Sequence, residues 1–167
     1  RTFKRIEMIK VTILQQDIVW ADPAENIRRA DAAVGSVPGS DIYVLPEMFS
    51  TGFCTEPEGT AERHGGPALE WMKSKAAETD AAIAGSVAVV EDGKYYNRFY
   101  FVRPDGSYEW YDKKHLFTYG GEHERFTAGD RRIVTEFRGV RIMLLVCYDL
   151  RFPIWSRNHG DYDMILY

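Results

Sequence analysis

The chain alternates between stretches with helical spacing and stretches with strand spacing. Residues 8–16, MIKVTILQQ, alternate apolar and polar side chains and predict a first strand. ADPAENIRRADAAV predicts a helix: Asp22 can cap it, Pro23 suits its first position, and Glu25 follows three residues after the cap. Ile27, Ala30 and Val34 would share its inner face. GSDIYVLPE reads as a short strand stopped by Pro46, and GGPALEWMKSKAAETD as a second helix opening near Pro67. Residues 81–114 then read as an antiparallel meander of three strands, turning at Asp92-Gly93 and at Pro104-Asp105-Gly106.

The second half continues with HLFTYGGEHERFTAGD, which reads as a long glycine-bearing loop. RIVTEFRGVRIMLLVC predicts a hairpin turning at Arg138-Gly139 with a buried second strand. LRFPIWSRN should start a helix, and YDMILY should form another buried strand. This order predicts an α+β (α/β-like) fold, a mixed sheet with helices packed on it, in a single domain over residues 1–167. The sequence ends inside its last predicted strand, so the C-terminal part of the domain is expected to lie beyond residue 167.

Composition narrows the function classes. With 167 residues, the chain can bury a sizeable core. A net charge of −4 argues against non-specific binding to nucleic acid or to an anionic membrane. No apolar run approaches the roughly 20 residues of a membrane-spanning helix. The basic start, RTFKRIEMIKVTIL, alternates like a strand and not like a signal peptide; its first residues are expected to lie upstream of the domain. Two cysteines, Cys54 and Cys147, form no disulfide framework and no metal-binding pair, which suits free thiols in a reducing cytoplasm.

Three strand ends carry reactive groups, and open α/β sheets place ligands beyond the carboxyl ends of their strands. DIYVLPE delivers Glu47, YEWYDKK delivers Lys113 or Lys114, and RIMLLVC delivers Cys147. The positive end of a helix after Cys147 would favour its thiolate, or a carboxylate could take the thiol proton directly. A buried Glu47 could shuttle a proton, and a lysine in a dry pocket could stabilise an oxyanion. Taken singly, each has a plainer reading as a core cysteine, a solvated loop glutamate or a solvated charge cluster. A Cys–His hydrolase using His115 or His123 is a weaker reading, since each reads better as a hydrogen-bonded structural histidine, and so is a metal bound by Glu122-His123-Glu124, since helical or paired ligand spacing is missing.

Together, LPEMFSTGF, YDKKHLF and LLVCYDLRFP resemble the three signature segments of the nitrilase, or carbon–nitrogen hydrolase, superfamily. The resemblance implies a four-layer αββα sandwich and a catalytic triad of Glu47, Lys113 and Cys147. It also implies a second glutamate, with Glu122 preferred over Glu124. EMFSTGF, HLFTYGGEH and CYDLRFPIWSRN are similar to the omega-amidase branch, which hydrolyses the side-chain amide of alpha-keto acids. The resemblance further implies a thioester mechanism with no metal and no cofactor, a small-molecule amide as partner, and a homodimer or higher homo-oligomer. The backbone N–H near Tyr148 would help hold the oxyanion. Arg151, about one helical turn after Cys147, would bind the substrate's carboxylate. Phe53, Phe117 and Trp155 are candidate pocket walls. The alternatives are another nitrilase-family hydrolase (aliphatic amidase, carbamoylase or nitrilase) or a non-catalytic interaction protein on the same fold.

Overall fold

The structure is a computed structural model that describes residues 8–167. The basic start before Met8 lies outside the described residues. The first sheet contains β1 (Val11–Ile13), β2 (Ile42–Val44), β3 (Glu62–Arg63), β4 (Ala82–Glu91), β5 (Lys94–Val102) and β6 (Tyr108–Asp112). Its order is β1-β2-β4-β5-β6, with β3 paired to one end of β4. The first three strands on that path run parallel and the last two return antiparallel. A second sheet holds β7 (Val134–Phe137), β8 (Val140–Leu144) and β9 (Met164–Leu166), in that order.

Side-chain alternation assigns the two faces of the first sheet. Tyr43, Ile83, Val87, Tyr100 and Val102 pack under α1 (Pro23–Ser36) and α2 (Pro67–Thr79), against Ala30, Val34, Leu69, Met72 and Ala76. Their neighbours Ile42, Val44, Ala82, Ala84, Phe99 and Phe101 face the second sheet, against Phe137, Ile142, Leu144 and Leu166. The described layers are therefore helices, sheet and sheet. The class is α+β, as expected; the fourth layer of the expected sandwich is not formed by the described residues. No helix among the described residues is long and apolar enough to cross a membrane.

Local chemistry explains the helix ends. Asp22 caps α1 by accepting from Glu25 N at 3.1 Å. Glu25 does not reach back to complete a capping box; its carboxylate binds Arg28 and Arg29 instead. The inner face of α1 is Asn26, Ala30 and Val34, with Ile27 only partly buried. Asn26 accepts from Val19 N and donates to the carbonyls of Val19 and Ser50, tying the helix to the loop after β2.

Three expectations are corrected. The first strand spans three residues, not nine. The loop over residues 115–130 contains a 3-10 turn at Thr118–Gly120 and a four-residue helix, α3 (Glu122–Arg125). No α-helix follows Cys147; Cys147–Arg151 is a 3-10 turn, and turns continue to residue 156. Pro153 accounts for the stop, because it disfavours helical backbone at Phe152, whose φ and ψ are −122° and 71°.

A buried ion pair sets the register of β5 and β6. Arg98, nearly inaccessible, donates to Asp112 from Nε at 2.7 Å and from a terminal nitrogen at 3.0 Å, and to Glu91 at 2.9 Å. Arg98 and Asp112 are also direct cross-strand partners. A one-residue slip would turn the guanidinium to the other face of the sheet. Arg98→Met should lower unfolding stability by about 3–5 kcal/mol, because it leaves two carboxylates without their buried cation. Urea denaturation of the purified protein measures this. A loss under about 1 kcal/mol would show that the pair contributes no more than a surface bridge.

Candidate active site

Three chain segments bring their ends to one place. The segment after β2 carries Glu47 on Leu45-Pro46-Glu47. Leu45 N donates to Ala84 O at 2.7 Å, Met48 N to Ser86 Oγ at 2.8 Å and Phe49 N to Ser86 O at 3.1 Å. These bonds fasten the Glu47 loop along β4. Gly85 permits the contact, since a Cβ there would stand 2.8 Å from Leu45 Cβ.

Lys113 follows β6. Its N–H donates to Asn97 O at 3.0 Å, and its carbonyl accepts from Gly129 N at 3.0 Å. Gly129 is required by close approach, because a Cβ would fall 2.1 Å from Asp112 O. The Lys113 side chain is fully buried. Nζ donates to Glu47 Oε1 at 2.8 Å and to Glu122 Oε2 at 2.9 Å, and lies 5.4 Å from the centre of the Phe53 ring. Burial alone would push the lysine's pKa down, but the two carboxylates outweigh it and hold the pKa above its ordinary value.

Glu122 opens α3 and is fully buried. Besides Lys113, it accepts from Phe117 N at 2.6 Å and from Asn97 Nδ2 at 3.0 Å. Glu124 and His123 are exposed, so the Glu122-His123-Glu124 triplet does not converge on a metal. Lys114 points elsewhere, with Nζ 5.5 Å from the centre of the Trp155 ring.

Cys147 ends the segment after β8 with φ +40°, in the left-handed region that non-glycine residues rarely adopt. Asp149 holds this turn. It is fully buried, and each of its oxygens takes two donors: Oδ1 from His115 N at 3.0 Å and His115 Nδ1 at 2.7 Å, Oδ2 from Tyr111 Oη at 2.9 Å and Val146 N at 3.0 Å. One carboxylate thus ties the Cys147 turn to the Lys113 segment. His115 is committed to this clamp and stacks on Phe152 at 3.8 Å, which leaves the Cys–His reading without support.

Crowding around the thiol pushes the pKa of Cys147 up to about 11. The charge and hydrogen bonding of Glu47 add to this, and Lys113 pulls the other way. The residue's surface nonetheless opens to solvent. The expected stabilisation of a thiolate by a following helix is therefore corrected. The turn is too short to act as a helix, and the thiol is protonated at neutral pH. The carboxylate nearest to act on this thiol is Glu47. Cys147 and Glu47 share a cleft of about 300 Å³ that includes Leu14, Phe99, Val146 and Tyr167.

The outer candidates divide. Phe53 and Phe117 meet edge to face at 6.2 Å, and Phe117 meets Tyr148 at 5.1 Å, forming an aromatic wall beside Lys113. Tyr148 precedes the turn's first hydrogen bond, Asp149 N to Val146 O at 3.0 Å. Arg151 is exposed in a different groove, lined by His115, Phe152, Ile154 and Trp155. A 3-10 turn has three residues per turn, so the fourth residue after Cys147 is rotated away from it. Sequence reasoning missed Asn97, Asp149 and Ser86. Only the Asp two residues after Cys147 lay inside a quoted motif.

The site brings together a cysteine on a sharp strand-to-turn corner, a carboxylate beside it and a buried ammonium, on an α+β fold. The sequence model of the carbon-nitrogen hydrolase family matches residues 10–164, and the chain belongs to that family. It is 46% identical over 159 residues to omega-amidase YafV of Escherichia coli (strain K12), covering 95% of this chain and 62% of that protein. It is 36% identical over 153 residues to 2-oxoglutaramate amidase of Bacillus subtilis (strain 168), covering 89% and 59%. The structure superposes on XC1258 of Xanthomonas campestris, a carbon–nitrogen hydrolase superfamily protein, with a TM-score of 0.87 and 41% identity over 90% of this chain and 57% of the other. The chain thus spans about three fifths of the length of these relatives.

Two tests follow from the geometry. Glu47→Gln removes a negative charge beside the thiol, so the apparent pKa of Cys147 should fall below about 11. Turnover should collapse all the same, because the proton acceptor is gone. Alkylation rate against pH reads the first effect and steady-state assays the second; an unmoved thiol would detach Glu47 from Cys147. Asp149→Asn places an amide where four donors converge, and should cost about 2–3 kcal/mol of stability together with most of the activity. Thermal unfolding beside the activity assay checks this.

Proposed function

We propose that the chain is the catalytic part of an omega-amidase, which hydrolyses the side-chain amide of alpha-keto acids such as alpha-ketoglutaramate and alpha-ketosuccinamate to the keto acid and ammonia. The convergence of Glu47, Lys113 and Cys147 carries the chemistry. The names of two similar proteins, an omega-amidase and a 2-oxoglutaramate amidase, support the substrate class.

Glu47 takes the proton of Cys147, and sulfur attacks the amide carbonyl to form a tetrahedral oxyanion. Lys113 has three N–H donors, two of which serve Glu47 and Glu122. The third, with the backbone N–H of Tyr148, stabilises the oxyanion. Collapse breaks the C–N bond, Glu47 returns its proton to the leaving nitrogen, and ammonia departs from a thioester. Water then gives a proton to Glu47 and its oxygen to the acyl carbon. The C–S bond breaks, sulfur regains the proton, and the acid is released. Glu122 keeps Lys113 in place through both halves. Phe53 and Phe117 wall the acyl pocket. The same reading carries a cytoplasmic homodimer, consistent with two free cysteines.

Ammonia release from alpha-ketoglutaramate by the full-length protein tests this. Release should be fast and should fall by at least about 10³-fold in Cys147→Ala, which lacks the nucleophile. Turnover confined to another amide, a nitrile or a carbamoyl compound would replace the substrate class and keep the site. No turnover of any of them would favour the non-catalytic interaction protein.

A further inference from the structure

Asn97 sits in the middle of β5 and is fully buried. It faces the second sheet, as Phe99 and Phe101 do, and its register partner on β4 is Ala88. Its two amide hydrogens go to two different carboxylates: Nδ2 donates to Glu47 Oε1 at 2.8 Å and to Glu122 Oε1 at 3.0 Å. Its backbone carbonyl accepts from Lys113 N. One residue therefore touches every charged member of the buried cluster.

The orientation of this amide is determined. Turned over, its oxygen would face two carboxylate oxygens, which have nothing to donate unless protonated. In the observed orientation Oδ1 is buried with no partner among the described residues. Folds rarely leave a buried acceptor unpaired. Here the amide's two donors are spent on carboxylates at the cost of its acceptor.

Lys113 and Asn97 also converge on the same atom. Both donate to Glu47 Oε1, which leaves Oε2 as the oxygen open to the thiol proton. A second cation could make the same contacts, but it would convert a cluster of net charge −1 into a neutral one and weaken the base. A neutral amide orients the carboxylate without that loss.

We propose that Asn97 is a positioning residue for the reaction, an uncharged clamp that locks the Glu47 carboxylate with one oxygen toward Cys147 and couples it to Glu122. The inference rests on the amidohydrolase reading for its link to turnover, but the clamp itself is testable on the thiol alone. The groups facing it are Glu47 from the loop after β2, Lys113 after β6 and Glu122 from α3, with Cys147 after β8 beside Glu47.

Full-length wild type, Asn97→Asp and Asn97→Leu are compared in two assays. The first is iodoacetamide alkylation of Cys147 against pH, with the site read by peptide mass. The second is ammonia release against pH. In Asn97→Asp a third carboxylate joins the cluster, and each further ionisation becomes harder. The acid limb of both profiles should move to higher pH by about one unit or more. In Asn97→Leu, kcat should fall by at least tenfold with KM changed less than threefold and the fold intact by circular dichroism. A variant that lowers thermal stability while its profile stays at the wild-type position and its rate within about twofold overturns the clamp. If Asn97→Asp does not fold, Asn97→Leu and Asn97→Ser decide alone: either must lower kcat at every pH, and unchanged rates overturn the clamp. Should no amide turn over, the alkylation profiles still decide between a clamp and a filler, so failure of the substrate reading is distinguished from failure of this one.

Discussion

The site depends on one ammonium held out of water between two carboxylates. An isolated buried lysine would lose its proton or unfold its surroundings. Lys113 is stable because Glu47 and Glu122 reach it at 2.8 and 2.9 Å from opposite sides of the chain's order, one before it and one after. That requirement disciplines the rest. Glu47 must be presented by a loop stitched to β4, and Glu122 by a short helix whose preceding turn leaves Phe117 N free to donate. β6 must end at one residue and no other, and the Arg98–Asp112 pair on the opposite face of the sheet sets that end. Buried charge on one face fixes the register that buried charge on the other face needs.

Cys147 is held differently. Its backbone sits in a costly conformation, and the cost, of order 1–3 kcal/mol for such residues, has to be offset by neighbours. Asp149 does so with four accepted hydrogen bonds, two of them from His115. The strained corner and its clamp aim the side chain at Glu47. They do nothing to ionise it; burial first and then the charge of Glu47 push the thiol's pKa up, with Lys113 as partial counterweight. In the proposed mechanism such a site stores its nucleophile as an unreactive thiol and releases it only as the proton moves. The fold supplies position, and the carboxylate supplies basicity.

Much of this is legible in the sequence. The meander over β4–β6, both helices and the hairpin of β7 and β8 follow from turn residues and periodicity, signals that act over a few residues. Glu47, Lys113 and Cys147 stood out because strand ends expose them to chemistry and their motifs are distinctive. What stayed hidden depends on tertiary contact. Asn97 reads as one polar position in a strand, and nothing local says that two carboxylates meet there. Arg98 reads as its solvent-facing neighbour, yet it is buried. The helix expected after Cys147 yields to Pro153, whose effect on Phe152 outweighs the apolar pattern. At 3.6 residues per turn Arg151 would face the site, and the tighter turn that forms instead carries it into another groove.

The two halves of the cluster divide labour by charge. Lys113 contributes a positive charge that never needs to move, and Asp149 a negative charge sealed from the cleft by its four donors. Glu47 is different, because its exchangeable oxygen must face both the fold and the substrate. Fixing Oε1 with two donors resolves that conflict: the carboxylate is anchored by one atom, and in the proposed mechanism it reacts at the other. Dipoles and charges arranged in advance cost nothing to reorganise when charge develops. Here the arrangement is made when β5, β6 and α3 pack together, and a buried amide with an unpartnered oxygen is part of what that packing carries.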